Sequence, residues 1–185
     1  MTAPTDIKKV AVLGAGLMGH GIALELAAHH RSVHLYDVSE QLLHKAVNSA
    51  RVGLKALKQA GLISSDEIET SISRISISLD LSETVEYTDL VIEAVSENLD
   101  LKRSLFHKVD KTAPPTAVLV SNTSTFLPSA LAVATKRPSH VAGVHYSHPP
   151  TLLPGVVLIK GHEPYYGTVE STTGFYRTVA KRPAI

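Results

Sequence analysis

No cysteine occurs among the 185 residues. That absence excludes disulfides, thiolate nucleophiles and zinc–thiolate sites, and it agrees with a reducing compartment. An excess of one charge is also lacking. Eighteen Lys and Arg stand against seventeen Asp and Glu, a net charge of +1, and no basic block appears. The electrostatic footprint of a nucleic-acid binder is therefore missing, and no nucleic-acid partner is expected. Long apolar runs are absent too. The most apolar stretch, residues 10–28, contains four glycines, His20 and Glu25, whereas a membrane span needs about 20 predominantly apolar residues. No membrane association is expected. The first nine residues show neither the apolar core of a secretory signal nor the arginine pattern of a transit peptide, so the expected location is cytoplasmic. There is no internal repeat, low-complexity segment or long linker. With 44% hydrophobic residues, the whole of 1–185 suffices for one substantial core.

What is present alternates between two periods. Lys9-Val10-Ala11-Val12-Leu13 is a short apolar run ending in glycine, the pattern of a parallel strand covered on both faces. Residues 17–29 predict a helix and residues 33–37 a second strand, completing one βαβ unit. Residues 39–59 predict a long helix broken at Gly61. Ser64 or Ser65 is placed to cap the next helix, with Asp66 and Glu67 in its first turn. Further strands are predicted at 75–77, 89–95, 117–121, 140–145 and 156–160. Further helices are predicted at 99–110, 128–134 and 166–179. The fold class implied is α/β, a Rossmann doubly wound, mostly parallel sheet with a helical-pair insertion over 39–72.

Gly14-Ala15-Gly16-Leu17-Met18-Gly19 is a G-x-G-x-x-G run between a predicted strand and a predicted helix. Gly14 permits the tight turn, Gly16 lets a pyrophosphate approach the backbone, and Gly19 lets helix and strand pack closely. A helix N-terminus then presents free N–H groups and a positive dipole end to phosphate. Asp37 ends the second strand, where an acid binds ribose hydroxyls and repels a 2′-phosphate. Val38 and Ser39 supply no cation to hold such a phosphate. NAD is the expected cofactor, although the glycines alone fit FAD as well.

Three later segments carry a resemblance. They are Ile92-Glu93-Ala94-Val95-Ser96-Glu97-Asn98 followed by Lys102, then Ser121-Asn122-Thr123-Ser124, then Gly143-Val144-His145-Tyr146-Ser147-His148-Pro149-Pro150. Together with the glycine run they resemble the NAD-binding domain of 3-hydroxyacyl-CoA dehydrogenases and their relatives acting on gulonate and carnitine. The resemblance implies an acyl-CoA or small hydroxy acid substrate. It also implies His145 as the general base that takes the 3-hydroxyl proton, a task suited to imidazole near neutral pH. Ser124 is implied as a hydrogen-bonding partner of substrate and nicotinamide. Cofactor contacts are implied at Gly14, Gly16, Leu17, Met18, Gly19, Asp37, Glu97, Lys102, Asn122 and the position of His148. The family's helical C-terminal domain, which completes the substrate cleft and usually the dimer interface, has no counterpart in these residues. A homodimer is expected only where that domain is present.

Two positions depart from the family pattern. The family commonly reads His-x-x-Asn-Pro, and here the fourth residue is His148. The family also carries a glutamate twelve residues after the histidine, and here that position is Val157, whose side chain accepts no hydrogen bond. A non-catalytic NAD-binding module is therefore the alternative to an active dehydrogenase. His145 and His148 also read as His-x-x-His, but on a predicted loop with no companion ligands, so no metal is expected. Arg51, Lys55 and Lys58 suit either CoA phosphates or a solvated helix face.

Overall fold

The computed structural model describes residues 7–161 and 166–185; residues 1–6, part of the segment read above for targeting signals, lie outside them. The elements run β1 (Lys9–Leu13), α1 (Leu17–Ala28), β2 (Ser32–Tyr36), α2 (Glu40–Gln59), α3 (Asp66–Ile72), β3 (Ile75–Ser78), α4 (Leu81–Val85) and β4 (Leu90–Glu93). There follow α5 (Leu99–Thr112), β5 (Val118–Ser121), α6 (Pro128–Ala132), β6 (Val141–Tyr146), β7 (Gly155–Ile159), α7 (Tyr166–Thr178) and β8 (Arg182–Ala184).

The eight strands of the described residues form one sheet in the order β3-β2-β1-β4-β5-β6-β7-β8. β1 to β6 pair in parallel; β7 runs antiparallel to β6, and β8 parallel to β7. The expected doubly wound architecture is therefore present, with the helical pair α2–α3 inserted between β2 and β3. Side-chain alternation along β1 divides the core. Val10 and Val12 face a layer with Ile22, Leu26, Leu43, Phe175 and Tyr176, while Ala11 and Leu13 face Val85, Leu105, Phe106, Val109 and Leu131. Period-two burial on both faces is what turns a continuous apolar run into a central strand.

The chain order reverses beside β1, because β2 and β3 lie on one side of it and β4 to β8 on the other. That reversal opens a crevice beyond the carboxyl ends of β1 and β4, the position where open α/β sheets collect ligands. Among the described residues no helix is long and apolar enough to cross a membrane.

Several local expectations are corrected. The Ser65 side chain makes no cap hydrogen bond; Glu67 instead accepts from the Ser64 N–H at 2.6 Å, so the carboxylate reaches back to the chain ahead of the helix. The strand read at 89–95 is shorter, Leu90–Glu93: beyond it the Val95 N–H donates to the Glu93 carboxylate at 2.7 Å instead of to a neighbouring strand, while before it the Asp89 carboxylate accepts from the N–H groups of Lys8 and Lys9, each at 2.9 Å. Helix α4 and strand β8 were not anticipated.

Candidate dinucleotide and substrate site

The glycine turn does what its spacing predicts. Gly14 has φ +102°, in the left-handed region, and a Cβ there would lie 2.8 Å from the Ala94 carbonyl oxygen. At Gly19 a Cβ would lie 1.7 Å from the Gly14 carbonyl oxygen, so β1 and the start of α1 close on each other without room for a methyl group. Gly16 is different: a Cβ there would meet nothing within 4 Å. It is exposed, it forms the N-cap of α1, and no side chain caps that helix. The first-turn N–H groups thus face open space over a backbone stripped of side chain, which fits a pyrophosphate.

Asp37 stands at the end of β2. One carboxylate oxygen accepts from the Ala15 N–H at 2.8 Å and the other from the Ser39 N–H at 3.0 Å. The acid therefore pins the glycine turn to the start of α2, and it also lines a cleft with Gly14, Gly16, Val38, Val95, Leu101 and Lys108. Each carboxylate oxygen has two lone pairs, so acceptor capacity for a ribose diol remains.

A second cleft adjoins the first and shares Gly16, Ala94, Val95 and Ser96 with it. It is lined further by Leu17, Met18, Glu97, Asn122, Ser124, His145 and Tyr146. The structure thus gathers the glycine helix, the β4 and β5 ends and His145 along one continuous groove. His145 and Ser124 are both exposed on it. Asn122 is held by two bonds: its N–H donates to the Glu93 carbonyl at 2.7 Å and its side-chain oxygen accepts from the Tyr146 N–H at 3.1 Å. Asn122 therefore ties the end of β5 to β6 one residue from His145.

Two expected contacts change role. Lys102 does not face the groove. Its side chain is fully buried, and its ammonium lies 2.7 Å and 3.0 Å from the two Glu93 oxygens and 3.1 Å from Glu97 Oε2. It supports the groove wall from behind, because desolvating an ammonium requires paired acceptors. His148 stands exposed on the loop after β6, outside the lining of either cleft; the chain has left the strand by that point, so the spacing no longer returns it to the groove.

Sequence reasoning missed Glu93 as an organiser. It is fully buried, accepts the Val95 N–H at 2.7 Å and also accepts from the Ser121 hydroxyl and Lys102. Burial pushes its carboxyl up, against the opposing pull of Lys102, Ser121 and the Val95 N–H. Glu97 behaves oppositely. Burial raises it, but hydrogen bonds from Thr123 and Lys102 outweigh that and hold it below the usual carboxylate range. A glutamate ending an apolar strand, nine residues before a lysine on the following helix, was the available signal.

Val157 lies directly opposite His145 in the antiparallel β6–β7 register and is 45% exposed. Side chains so placed have Cβ atoms about 5 Å apart. The twelve-residue spacing noted in the sequence is therefore a cross-strand adjacency, and the residue beside the imidazole is aliphatic. Of the α2 cations, Arg51 pairs with Glu69 on α3, while Lys55 and Lys58 are exposed. Among the described residues no cluster of three or more His, Asp or Glu is arranged to hold a metal.

Comparison with known proteins gives one family. Residues 9–185 match the model described as "3-hydroxyacyl-CoA dehydrogenase, NAD binding domain". The chain is 37% identical over 182 residues to the mitochondrial hydroxyacyl-coenzyme A dehydrogenase of Rattus norvegicus, covering 96% of this chain and 58% of that protein. It is 37% identical over 163 residues to a probable 3-hydroxybutyryl-CoA dehydrogenase of Bacillus subtilis, covering 84% of this chain and 54% of that protein. A crystal structure of 3-hydroxybutyryl-CoA dehydrogenase from Escherichia coli superposes with a TM-score of 0.92 at 32% identity, covering 96% of this chain and 37% of that one. The chain thus spans less than two thirds of the length of each.

Proposed function

This chain belongs to the 3-hydroxyacyl-CoA dehydrogenase family through its NAD-binding domain, and on that premise we propose that the protein oxidises a 3-hydroxyacyl-CoA, or a related 3-hydroxy acid, with NAD. The observation that carries the proposal is the groove on which Gly16, Leu17, Met18, Asn122, Ser124 and His145 meet. NAD, when bound, supplies the hydride acceptor. The N–H groups beginning α1 take its pyrophosphate, Asp37 its ribose, and the Ser96–Glu97 wall borders the way to His145. The imidazole of His145 would take the hydroxyl proton from the substrate's C3 oxygen as that carbon is oxidised to the ketone. The proton taken by His145 would pass to solvent from its exposed position. Ser124, exposed on the same groove, donates a hydrogen bond to the substrate oxygen and orients it. The α2 surface around His44, Lys45 and Asn48 is not required by this reading.

The test is NADH oxidation with acetoacetyl-CoA, run on the protein and its His145→Ala variant. Turnover that falls by at least about 100-fold in the variant supports His145 as the acid–base group; equal turnover in both refutes that assignment. A second reading, a non-catalytic NAD-binding module, is favoured by one observation: the residue facing His145 across the strand pair is Val157. Tight NADH binding without turnover in either form would select it.

A further inference from the structure

A buried cation stands away from the groove. Lys181, in the turn between α7 and β8, has a side chain only 2% exposed. Its ammonium lies 2.9 Å from Glu25 Oε1 on α1. It donates to the Leu153 carbonyl at 3.0 Å and to the Pro150 carbonyl, and it sits 5.9 Å from the ring centroid of Tyr146. A lysine ammonium has three N–H donors, and here three acceptors receive them. Glu25 alone would neutralise the charge. The other two acceptors are main-chain carbonyls of the connection between β6 and β7.

That connection, residues 147–154, starts two residues after His145 and carries His148. It rests on α1 as well: a Cβ at Gly21 would lie 3.0 Å from Pro150 Cδ, so the absence of a side chain lets the loop lie against the helix. The anchor is itself fixed. The Lys181 N–H donates to the Tyr176 carbonyl at 2.9 Å, and the Arg182 N–H donates to the Pro154 carbonyl at 2.7 Å. Helix α1 begins at the glycine turn, so the same body that offers its N-terminus to the pyrophosphate offers Glu25, two turns later, to Lys181.

We propose that Lys181 is a positioning residue for the substrate half of the site: its ammonium ties the loop after His145 to the dinucleotide helix α1, so that cofactor and substrate groups keep one relative placement. What the loop does for turnover rests on the dehydrogenase reading; the tie itself does not. A misplacement of about 1 Å in a reacting group can cost about 100-fold in rate even when the altered residue is remote.

Lys181→Met alone would leave the buried Glu25 without its lysine, with only the His29 ring 3.8 Å away, and endanger the fold. The informative variant is Glu25→Leu with Lys181→Met, which removes both charges and leaves the two loop carbonyls unanchored. Three quantities are read: amide hydrogen exchange over residues 147–154, NADH affinity, and kcat and KM with acetoacetyl-CoA. The expected result is a folded protein whose 147–154 amides exchange at least about tenfold faster, whose kcat falls by about 10–100-fold and whose NADH affinity changes by less than about threefold. Native exchange over the loop in the folded double variant overturns the proposal and leaves an ordinary buried ion pair. If the double variant fails to fold, Lys181→Arg decides. Arginine keeps the charge for Glu25, but its planar fork cannot serve three separately placed acceptors. The loop amides should then still exchange faster, and native exchange overturns the tie. If the native protein shows no turnover with acetoacetyl-CoA, the dehydrogenase reading fails while hydrogen exchange still tests Lys181.

Discussion

Lys102→Met removes the ammonium shared by Glu93 and Glu97 while keeping most of the buried stem. Glu93 is then left fully buried with its charge opposed only by neutral donors, the Val95 N–H and the Ser121 hydroxyl. Burial already raises its carboxyl in the native protein, and Lys102 is the largest influence in the other direction. Without it the carboxyl takes up a proton on folding. Taking 4.5 as the usual value, binding that proton costs about 3.4 kcal/mol at pH 7 and about 0.7 kcal/mol at pH 5. The neutral-pH figure falls within the ~3–5 kcal/mol typical of breaking a buried pair from one side. The sign follows from linkage: a carboxyl raised in the folded state contributes stability that is present below its usual value and lost as pH rises through the folded value. The variant is therefore weakest at neutral pH and recovers toward acid. Urea unfolding of native and variant protein at pH 7 and pH 5 measures this. A destabilisation at pH 7 below about 1 kcal/mol, or one that shrinks by less than about 1 kcal/mol at pH 5, refutes the account. Glu93→Gln combined with Lys102→Met should recover most of the neutral-pH loss.

Gly19 and Gly16 should separate by mechanism. Gly19→Ala, with its Cβ placed 1.7 Å from a carbonyl oxygen, should fail to give a native melting transition, whereas Gly16→Ala should melt natively and lose at least about tenfold in NADH affinity; equal behaviour would contradict the open cradle. Asp37→Ala removes the acceptor of the Ala15 and Ser39 N–H groups, so it should lower stability by about 1–3 kcal/mol and weaken NADH binding together; a change in binding alone, by calorimetry, would show that the carboxylate serves only the ribose. Val157→Glu places a carboxylate beside His145, which favours the imidazolium. In a dehydrogenase the acidic limb of the pH–rate profile for alcohol oxidation should therefore move to higher pH, and an unmoved limb would separate His145 from the proton transfer.

The cofactor half of the site was legible because its determinants are local. The strand, turn, helix and acid all fall within residues 9–37, and each has a residue-level signature in glycine spacing and apolar period. What was not legible depends on distant pairing. Strand β8 contains Pro183 and, among the described residues, pairs with β7 alone at the sheet edge, where proline is tolerated but gives no strand signal. Helix α4 is five residues long and is started by the Asp80 carboxylate accepting the Ser82 and Glu83 N–H groups, too short for periodicity to register. Lys102 read as a cofactor contact because the family resemblance implied one; only the folded arrangement shows that Glu93, from a strand end, waits beneath it. The Glu25–Lys181 pair joins elements 156 positions apart, and nothing local announces it.

The two departures from the family pattern fall on the same part of the molecule, and their placement separates binding from chemistry. Gly14, Gly16, Gly19 and Asp37 lie on β1, α1 and the end of β2, while His145, His148 and Val157 lie on β6, β7 and the loop between them. The two regions meet along the groove but are built by different strands, so a change on the second leaves the cradle for the dinucleotide intact. Valine opposite His145 keeps the strand pair well formed, since a β-branched side chain suits a half-exposed cross-strand position. It withdraws the acceptor without withdrawing the geometry. On the dehydrogenase proposal, affinity for NADH and proton transfer at C3 are thus set by different strands. A full-strength cofactor site is compatible with native, slowed or absent turnover, and the comparison of binding with turnover in His145→Ala and Val157→Glu distinguishes the three.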